Sequence, residues 1–291
     1  MNKVDIAIIG SGPAGVSAAI NAQIRHKSFY LFGDISLSDK VQKSECISNY
    51  PAFTDISGAD FNKCLNRQLS NMKISVVNKR ITGIYKMKDY FALLADQEEF
   101  DADTIIIATG VETVRQIVGE HELLGRGISY CATCDGNLYK GKTIAAVCDN
   151  PLMEEEVSYL ADLAEKIYYF PMFKGSSFTA ENVEILSSPV TEILGENRVK
   201  SIKCNNGNEI EVDGVFFLKQ SISPAVLLHG IEMDDRHVAV NRNMETNIKG
   251  CFAAGDCTGT PYQIAKAVGE GNIAAHSAFK YLAEKADSNK Q

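Results

Sequence analysis

Apolar residues follow two different periods along this chain. Short unbroken runs at 4–9 (VDIAII), within 103–110 (DTIIIATG), from Lys142 up to the CDNPLM turn (KTIAAV) and within 250–259 (GCFAAGDCTG) have the length and composition of buried strands. The amino-terminal run opens a unit of strand (Val4 to Ile9), glycine turn, helix (about Ala14 to Arg25) and second strand (Ser28 to Phe32). Lys142 to Phe170 repeats that order without a glycine: apolar strand, tight turn, amphipathic helix with Met153, Val157, Leu160, Ala161 and Ala164 on one face, and another strand. A last helix is expected from about Tyr262 to Leu282. Strands alternating with helices predict an α/β architecture, and 291 residues suffice for two such domains.

Composition narrows the function classes. An apolar fraction of 45% is that of a globular protein, no apolar run reaches the roughly 18 residues of a membrane span, and "MNKVDIAIIGSG" runs into a strand without the pattern expected of a cleavable signal. A cytoplasmic protein without a membrane partner is expected. Lys+Arg 29 against Asp+Glu 37 leaves a net charge of −8, which disfavours nucleic acid as a partner. In such a setting 8 cysteines argue against a disulfide scaffold and for a catalytic or metal-binding pair.

The turn after the first strand is G-x-G-x-x-G at Gly10, Gly12 and Gly15. The first glycine permits the tight turn, the second lets backbone N–H groups approach a pyrophosphate, and the third lets helix and strand pack closely. The acidic residue expected about 20 positions on is not cleanly present; Asp34 is a weak candidate and also reads as a solvated turn aspartate. Asp103 to Gly110 is a buried strand ending in small residues, and Gly250 to Gly259 is a strand ending in Gly255 and Asp256. Asp256 suits ribityl or ribose hydroxyls; helix capping is the plainer alternative.

Cys131 and Cys134 are the only pair with C-x-x-C spacing, and Asp135 follows at once. Two thiols so spaced close a small ring, one attacking a disulfide and the other resolving the mixed disulfide. A zinc site needs a second ligand pair, which neither the five histidines nor Cys148 and Cys204 supply. Cys46, Cys64, Cys148, Cys204, Cys251 and Cys257 read as small apolar residues.

These pieces, in this order, resemble the flavoprotein disulfide reductases with two dinucleotide-binding-type domains, over nearly the whole chain. "CATCD" matches the active-site motif of the low-molecular-weight thioredoxin reductases. The resemblance implies two Rossmann-like domains, the second inserted in the first: 1–112 with 241–291 for FAD, and 113–240 for the C-x-x-C. It implies FAD at Gly10, Gly12, Pro13, Ala14, Gly15, Asn49 (in "ISNYP"), Ala108, Thr109, Gly110, Gly255, Asp256, Tyr262, Gln263 and Ile264. It also implies that Cys134 faces the flavin, Cys131 attacks thioredoxin, Asp135 moves the proton, and the protein is a homodimer. For Asp135 a simple helix or turn cap remains the alternative.

The family follows its C-x-x-C segment with a strand, a G-x-G-x-x-A turn and a helix for NADPH. Here Cys148, Asp149 and Asn150 replace the glycines and Met153 the small residue, while Asn150 and Pro151 suit a helix start. Side chains at Cys148 and Asn150 would obstruct the approach, and Asp149 adds negative charge. "YYFPMFKGSS" replaces the family's basic run for the 2′-phosphate. An FAD domain, "CATCDG" and a degraded second site together resemble the ferredoxin-dependent flavin thioredoxin reductases of anaerobic bacteria. Ferredoxin is then the electron donor and thioredoxin the acceptor. Couples near −400 and −270 mV differ by about 130 mV, roughly 6 kcal/mol downhill for two electrons. Arg25, His26 and Lys27, with Lys40 and Lys43, are a candidate basic patch for an acidic ferredoxin. Three alternatives stay open: an NADPH thioredoxin reductase with an atypical loop, a two-flavin disulfide oxidoreductase, and a non-catalytic thiol redox sensor.

Overall fold

The computed structural model describes residues 3–95, 98–111, 117–120, 122–176, 178–219 and 222–288. The chain divides into two compact units, Met1–Val111 with Ser223–Gln291 and Glu112–Ile222. The first expected crossing, at 112–113, lies outside the described residues. The second comes at Ser223 rather than 241, because residues 223–240 pack on the first unit. Leu228 bridges to Ile84 of the Ile81–Lys86 strand, and His237 pairs with Tyr262 at 2.8 Å.

In the first unit, strands Val76–Val77, Phe29–Phe32, Val4–Ile9 and Glu98–Ile107 run parallel in that order. Cys251–Ala253 pairs in parallel with the end of Glu98–Ile107, whereas Phe91–Ala95 pairs antiparallel with its beginning. Burial along Glu98–Ile107 changes accordingly. It alternates over its antiparallel half and becomes continuous over the parallel half, where both faces are covered. Helix Pro13–Ile24 has buried small residues on nearly every side, and Ser17 Oγ donates to Val268 O at 2.7 Å on the long helix Ile264–Ser288. That last helix starts at Ile264 rather than Tyr262 and continues past Leu282. Their contact is close: a Cβ on Gly271 would lie 2.1 Å from Ala14 O.

The second unit holds an all-parallel sheet in the order Val183–Ile185, Lys166–Pro171, Thr143–Cys148, Gly214–Leu218, Ile128–Ser129. Val190–Leu194, Ser201–Cys204 and Glu209–Glu211 form a separate antiparallel sheet. The expected apolar helix face is present, with Val157, Leu160 and Ala164 buried in one cluster with Ile144, Ile167 and Phe216. Both units are therefore dinucleotide-binding-type α/β domains, the second inserted in the first. No helix among the described residues is long and apolar enough to cross a membrane.

Candidate active site

Strand order in the first sheet reverses between Val4–Ile9 and Glu98–Ile107, the place where open α/β sheets bind ligands beyond their carboxyl ends. Gly10, Ala108 and Gly255 leave the ends of three neighbouring strands there. Gly10 has φ +116°, and a Cβ on it would lie 2.2 Å from Ala108 O; a Cβ on Gly15 would lie 1.8 Å from Gly10 O. These two glycines are required by the protein's own packing. Gly12 is different: a Cβ there would meet nothing within 4 Å, and no side chain caps the helix it precedes. An open cradle with uncapped N–H donors is thus preserved at this helix start.

Every cofactor residue expected from sequence falls in the first unit. Asn49 Nδ2 donates to Gln263 Oε1 at 2.6 Å, joining the "ISNYP" segment to the start of the last helix. Asp256 does not cap a helix; its Oδ2 takes the Lys40 ammonium at 2.5 Å, and Lys40 also lies 4.9 Å from the Tyr262 ring centroid. Lys40 is thus held beside Asp256 at this candidate site while its side chain stays 65% exposed. Arg25 of the expected basic patch lies over the Phe279 ring at 6.0 Å. The Asp256 loop is held from the last helix: Lys266 Nζ donates to Gly255 O and Gly259 O, both at 2.8 Å, and Glu270 accepts from Gly255 N at 2.8 Å. Sequence reading placed Lys40 only in a surface patch and did not single out Lys266 or Glu270, since no local motif marks them. Asp34 makes a local turn, Oδ1 accepting from Ser36 N at 2.7 Å.

In the second unit Cys131 and Cys134 form a disulfide with a Cα–Cα distance of 5.3 Å, on a single helical turn, Ala132–Asp135. Cys131 Sγ accepts from Cys134 N at 3.1 Å and from the Thr133 hydroxyl at 3.5 Å, contacts that favour a thiolate there once the bond is reduced. Cys131 is 6% exposed, whereas Cys134 is exposed. Asp135 caps nothing; its Oδ2 accepts from Ser129 Oγ at 2.6 Å, and Ser129 Oγ accepts from Cys131 N at 3.1 Å. Ser129, which the sequence did not single out, thus links the carboxylate to the Cys131 peptide. Among the described residues no group of His, Cys, Asp and Glu is arranged to hold a metal ion.

The second sheet reverses its order between Thr143–Cys148 and Gly214–Leu218, and the glycine-free turn lies there. It is occupied by its own side chains. Asn150 Oδ1 accepts from Leu152 N at 3.0 Å, capping a 3₁₀ turn at Pro151–Met153 that precedes the α-helix Glu154–Ala161. Cys148 does not obstruct the turn as expected; it is 0% exposed in the core, Sγ donating to Asn150 O at 3.2 Å. Beyond it, Tyr169 and Ser176 hydroxyls both donate to Glu154 Oε1, at 2.9 and 2.5 Å, and Phe178 packs edge-on against Tyr169 at 5.7 Å.

The remaining thiols are ordered by burial. Cys148 is pushed up to about 11, and Cys251 and Cys257 to about 12, by loss of water around the thiolate. Cys257 donates to Ile107 O and Ala254 O and is structural. Cys46 is exposed beside Asp55, so it is not a buried apolar residue as expected. At pH 8 a thiol of pKa about 11 or higher is about 0.1% thiolate or less; Cys46, although the Asp55 carboxylate that accepts from it pushes it up, is open to reagent. Iodoacetamide is expected to label Cys46 and Cys64 in the native protein, and Cys148, Cys251 and Cys257 only after unfolding. Peptide mass spectrometry reads this directly, and native labelling of Cys257 would contradict it.

Comparison with known proteins agrees with this geometry. The family model of pyridine nucleotide-disulphide oxidoreductases matches residues 4–148 and 173–271, leaving the segment from the glycine-free turn to Met172 unmatched. Thioredoxin reductase of Helicobacter pylori is 34% identical, covering 96% of this chain and 99% of that protein. A solved ferredoxin-flavin thioredoxin reductase from Clostridium acetobutylicum is similar at TM-score 0.91 and 47% identity, covering 98% of this chain and 99% of its own. A thioredoxin reductase from Gloeobacter violaceus is similar at TM-score 0.79 and 26% identity, covering 97% and 95%.

Proposed function

From the premise that this chain belongs to the pyridine nucleotide-disulphide oxidoreductase family, and is an oxidoreductase, we propose that it is a ferredoxin-dependent flavin thioredoxin reductase. The observation that carries the choice of donor is the contrast between its two switch points. The first keeps an open Gly12 and an uncapped helix; the second caps itself with Asn150 and fills the following segment with Tyr169, Ser176 and Phe178. In this reading FAD is bound by the first unit and NADPH by neither. The likeness to a ferredoxin-flavin enzyme favours the same donor.

The residues of the first unit fit FAD. The N–H groups after Gly12 would hold the pyrophosphate, Asp256 would accept from a ribityl hydroxyl after sharing or releasing Lys40, and Asn49 and Gln263 would face the ring system. When bound, FAD supplies the conversion of one-electron donation by ferredoxin into two-electron disulfide chemistry. The dithiol does the rest. Cys131 thiolate attacks a thioredoxin sulfur, forming a mixed disulfide and expelling the other thioredoxin sulfur as thiolate. Cys134 thiolate then attacks Cys131 Sγ, which re-forms the Cys131–Cys134 bond and releases the second thioredoxin sulfur. Asp135, oriented by Ser129, moves the proton between sulfur and solvent. The working form in this reading is a cytoplasmic homodimer.

Anaerobic mixing of the purified holoenzyme with NADPH, NADH and reduced ferredoxin, side by side, tests the donor. Flavin absorbance is expected to bleach rapidly with ferredoxin alone. Rapid bleaching by NADPH would sink the reading in favour of an ordinary thioredoxin reductase. Two FAD per chain would favour a two-flavin oxidoreductase, and failure to reduce thioredoxin in a single turnover would favour a sensor.

A further inference from the structure

Lys40 and Asp256 lie 216 residues apart in sequence, and the elements that carry them are both anchored on the first glycine turn. Lys40 sits on the one-turn helix Asp39–Gln42. The segment leading into that helix is tied to the turn itself, with Ser11 Oγ 2.8 Å from Asp34 O and 3.2 Å from Leu37 O. From the other side the buried Asn62 Nδ2 donates to Ser36 O and Ser38 O at 3.2 and 3.1 Å. Asp256 follows Gly255, where a Cβ would lie 2.9 Å from Ala14 Cβ at the start of the helix that the turn opens. The ion pair therefore completes a closed circuit of contacts through the glycine turn.

Its carboxylate is only half used. Lys40 Nζ lies 2.5 Å from Asp256 Oδ2, and among the described residues no hydrogen bond reaches Oδ1 and no second cation pairs with this carboxylate. The Asp256 side chain is 15% exposed and that of Lys40 65%. A pair with so exposed a partner contributes little to folding. Its consequence falls on what binds at the site. FAD brings a negatively charged pyrophosphate, and a sheltered, unbalanced carboxylate in the same site opposes it.

We propose that Lys40 is a positioning residue of the flavin site: it holds Asp256 by Oδ2, leaves Oδ1 to accept from a ribityl hydroxyl, and balances the carboxylate's charge against an anionic cofactor. The proposal rests on the reading of Asp256 as a flavin ligand. Lysine and flavin then share the carboxylate, and Lys40 is not released when FAD binds.

The test titrates FAD into the full-length apoprotein and follows flavin fluorescence. Lys40→Met is expected to weaken FAD affinity about tenfold, and Lys40→Arg, which keeps the charge, about threefold or less. Asp256→Ala is expected to weaken it about thirtyfold or more, and Lys40→Met to add less than about twofold on that background, because the lysine acts through the carboxylate. Lys40 is exposed, so apoprotein melting of its variants should match the parent. Lys40→Met within about twofold of the parent, an equal loss in both backgrounds, or Lys40→Arg no better than Lys40→Met overturns the proposal. If Asp256→Ala does not fold, Asp256→Asn takes its place in the cycle, an undiminished loss from Lys40→Met again being the contrary result. Unchanged FAD affinity in a folded Asp256→Ala protein overturns the reading of Asp256 as well.

Discussion

Cys134→Ser is expected to stop thioredoxin reduction, by on the order of a thousandfold or more, and to accumulate a covalent complex between Cys131 and thioredoxin. With the resolving sulfur gone, the reductase cannot break the mixed disulfide, and attack by the expelled thioredoxin thiolate only returns the starting pair without turnover. Cys131→Ser is expected to lose the same activity and form no complex. The structure sets two considerations against each other here. Cys131 has the N–H of Cys134 and the Thr133 hydroxyl to stabilise a thiolate, but Cys134 is the more exposed residue. Non-reducing electrophoresis with thioredoxin separates them, and a complex formed by Cys131→Ser would exchange the two roles.

Gly12→Val and Gly15→Val are expected to fail in different ways. At Gly12 a Cβ meets no protein atom, so the variant folds with a thermal midpoint near the parent apoprotein. Its branched side chain stands where a pyrophosphate must approach, and FAD affinity should fall about a hundredfold, about 2.7 kcal/mol. At Gly15 the Cβ would lie 1.8 Å from a backbone carbonyl, so strand and helix must move apart. A loss of about 3 kcal/mol or more of stability follows, whether or not flavin is present. Flavin titration and apoprotein melting distinguish these outcomes, and stoichiometric FAD in Gly12→Val would contradict the proposed pyrophosphate site.

Chemistry carried by neighbouring residues was legible before the fold. The 3.6-residue and unbroken apolar patterns located Val4–Ile9, Pro13–Ile24 and Thr143–Cys148 to within a residue or two, because backbone periodicity and burial act over one or two turns. The glycines at 10, 12 and 15, the Cys131/Cys134 spacing and the missing glycines at 148–150 were legible for the same reason: each is a requirement of a few consecutive peptides. Reading side chains at 148–150 as uniformly obstructive went too far, since a turn's sequence does not say which side chain enters the core.

Tertiary structure decided the rest. Lys40 looked like part of a surface patch and is paired with Asp256, 216 residues away. Glu120 meets Lys219 across 99 residues, and Lys266 and Glu270 grip a loop that no motif connects to them. The second crossing moved to Ser223 because Leu228 and His237 of the segment after it found their partners on the first unit. By itself the sequence determined two nucleotide-type units, an open cradle in one and a dithiol in the other. Partners of charged side chains and the point where one unit ends depend on which strands close beside one another, a long-range choice that local pattern does not encode.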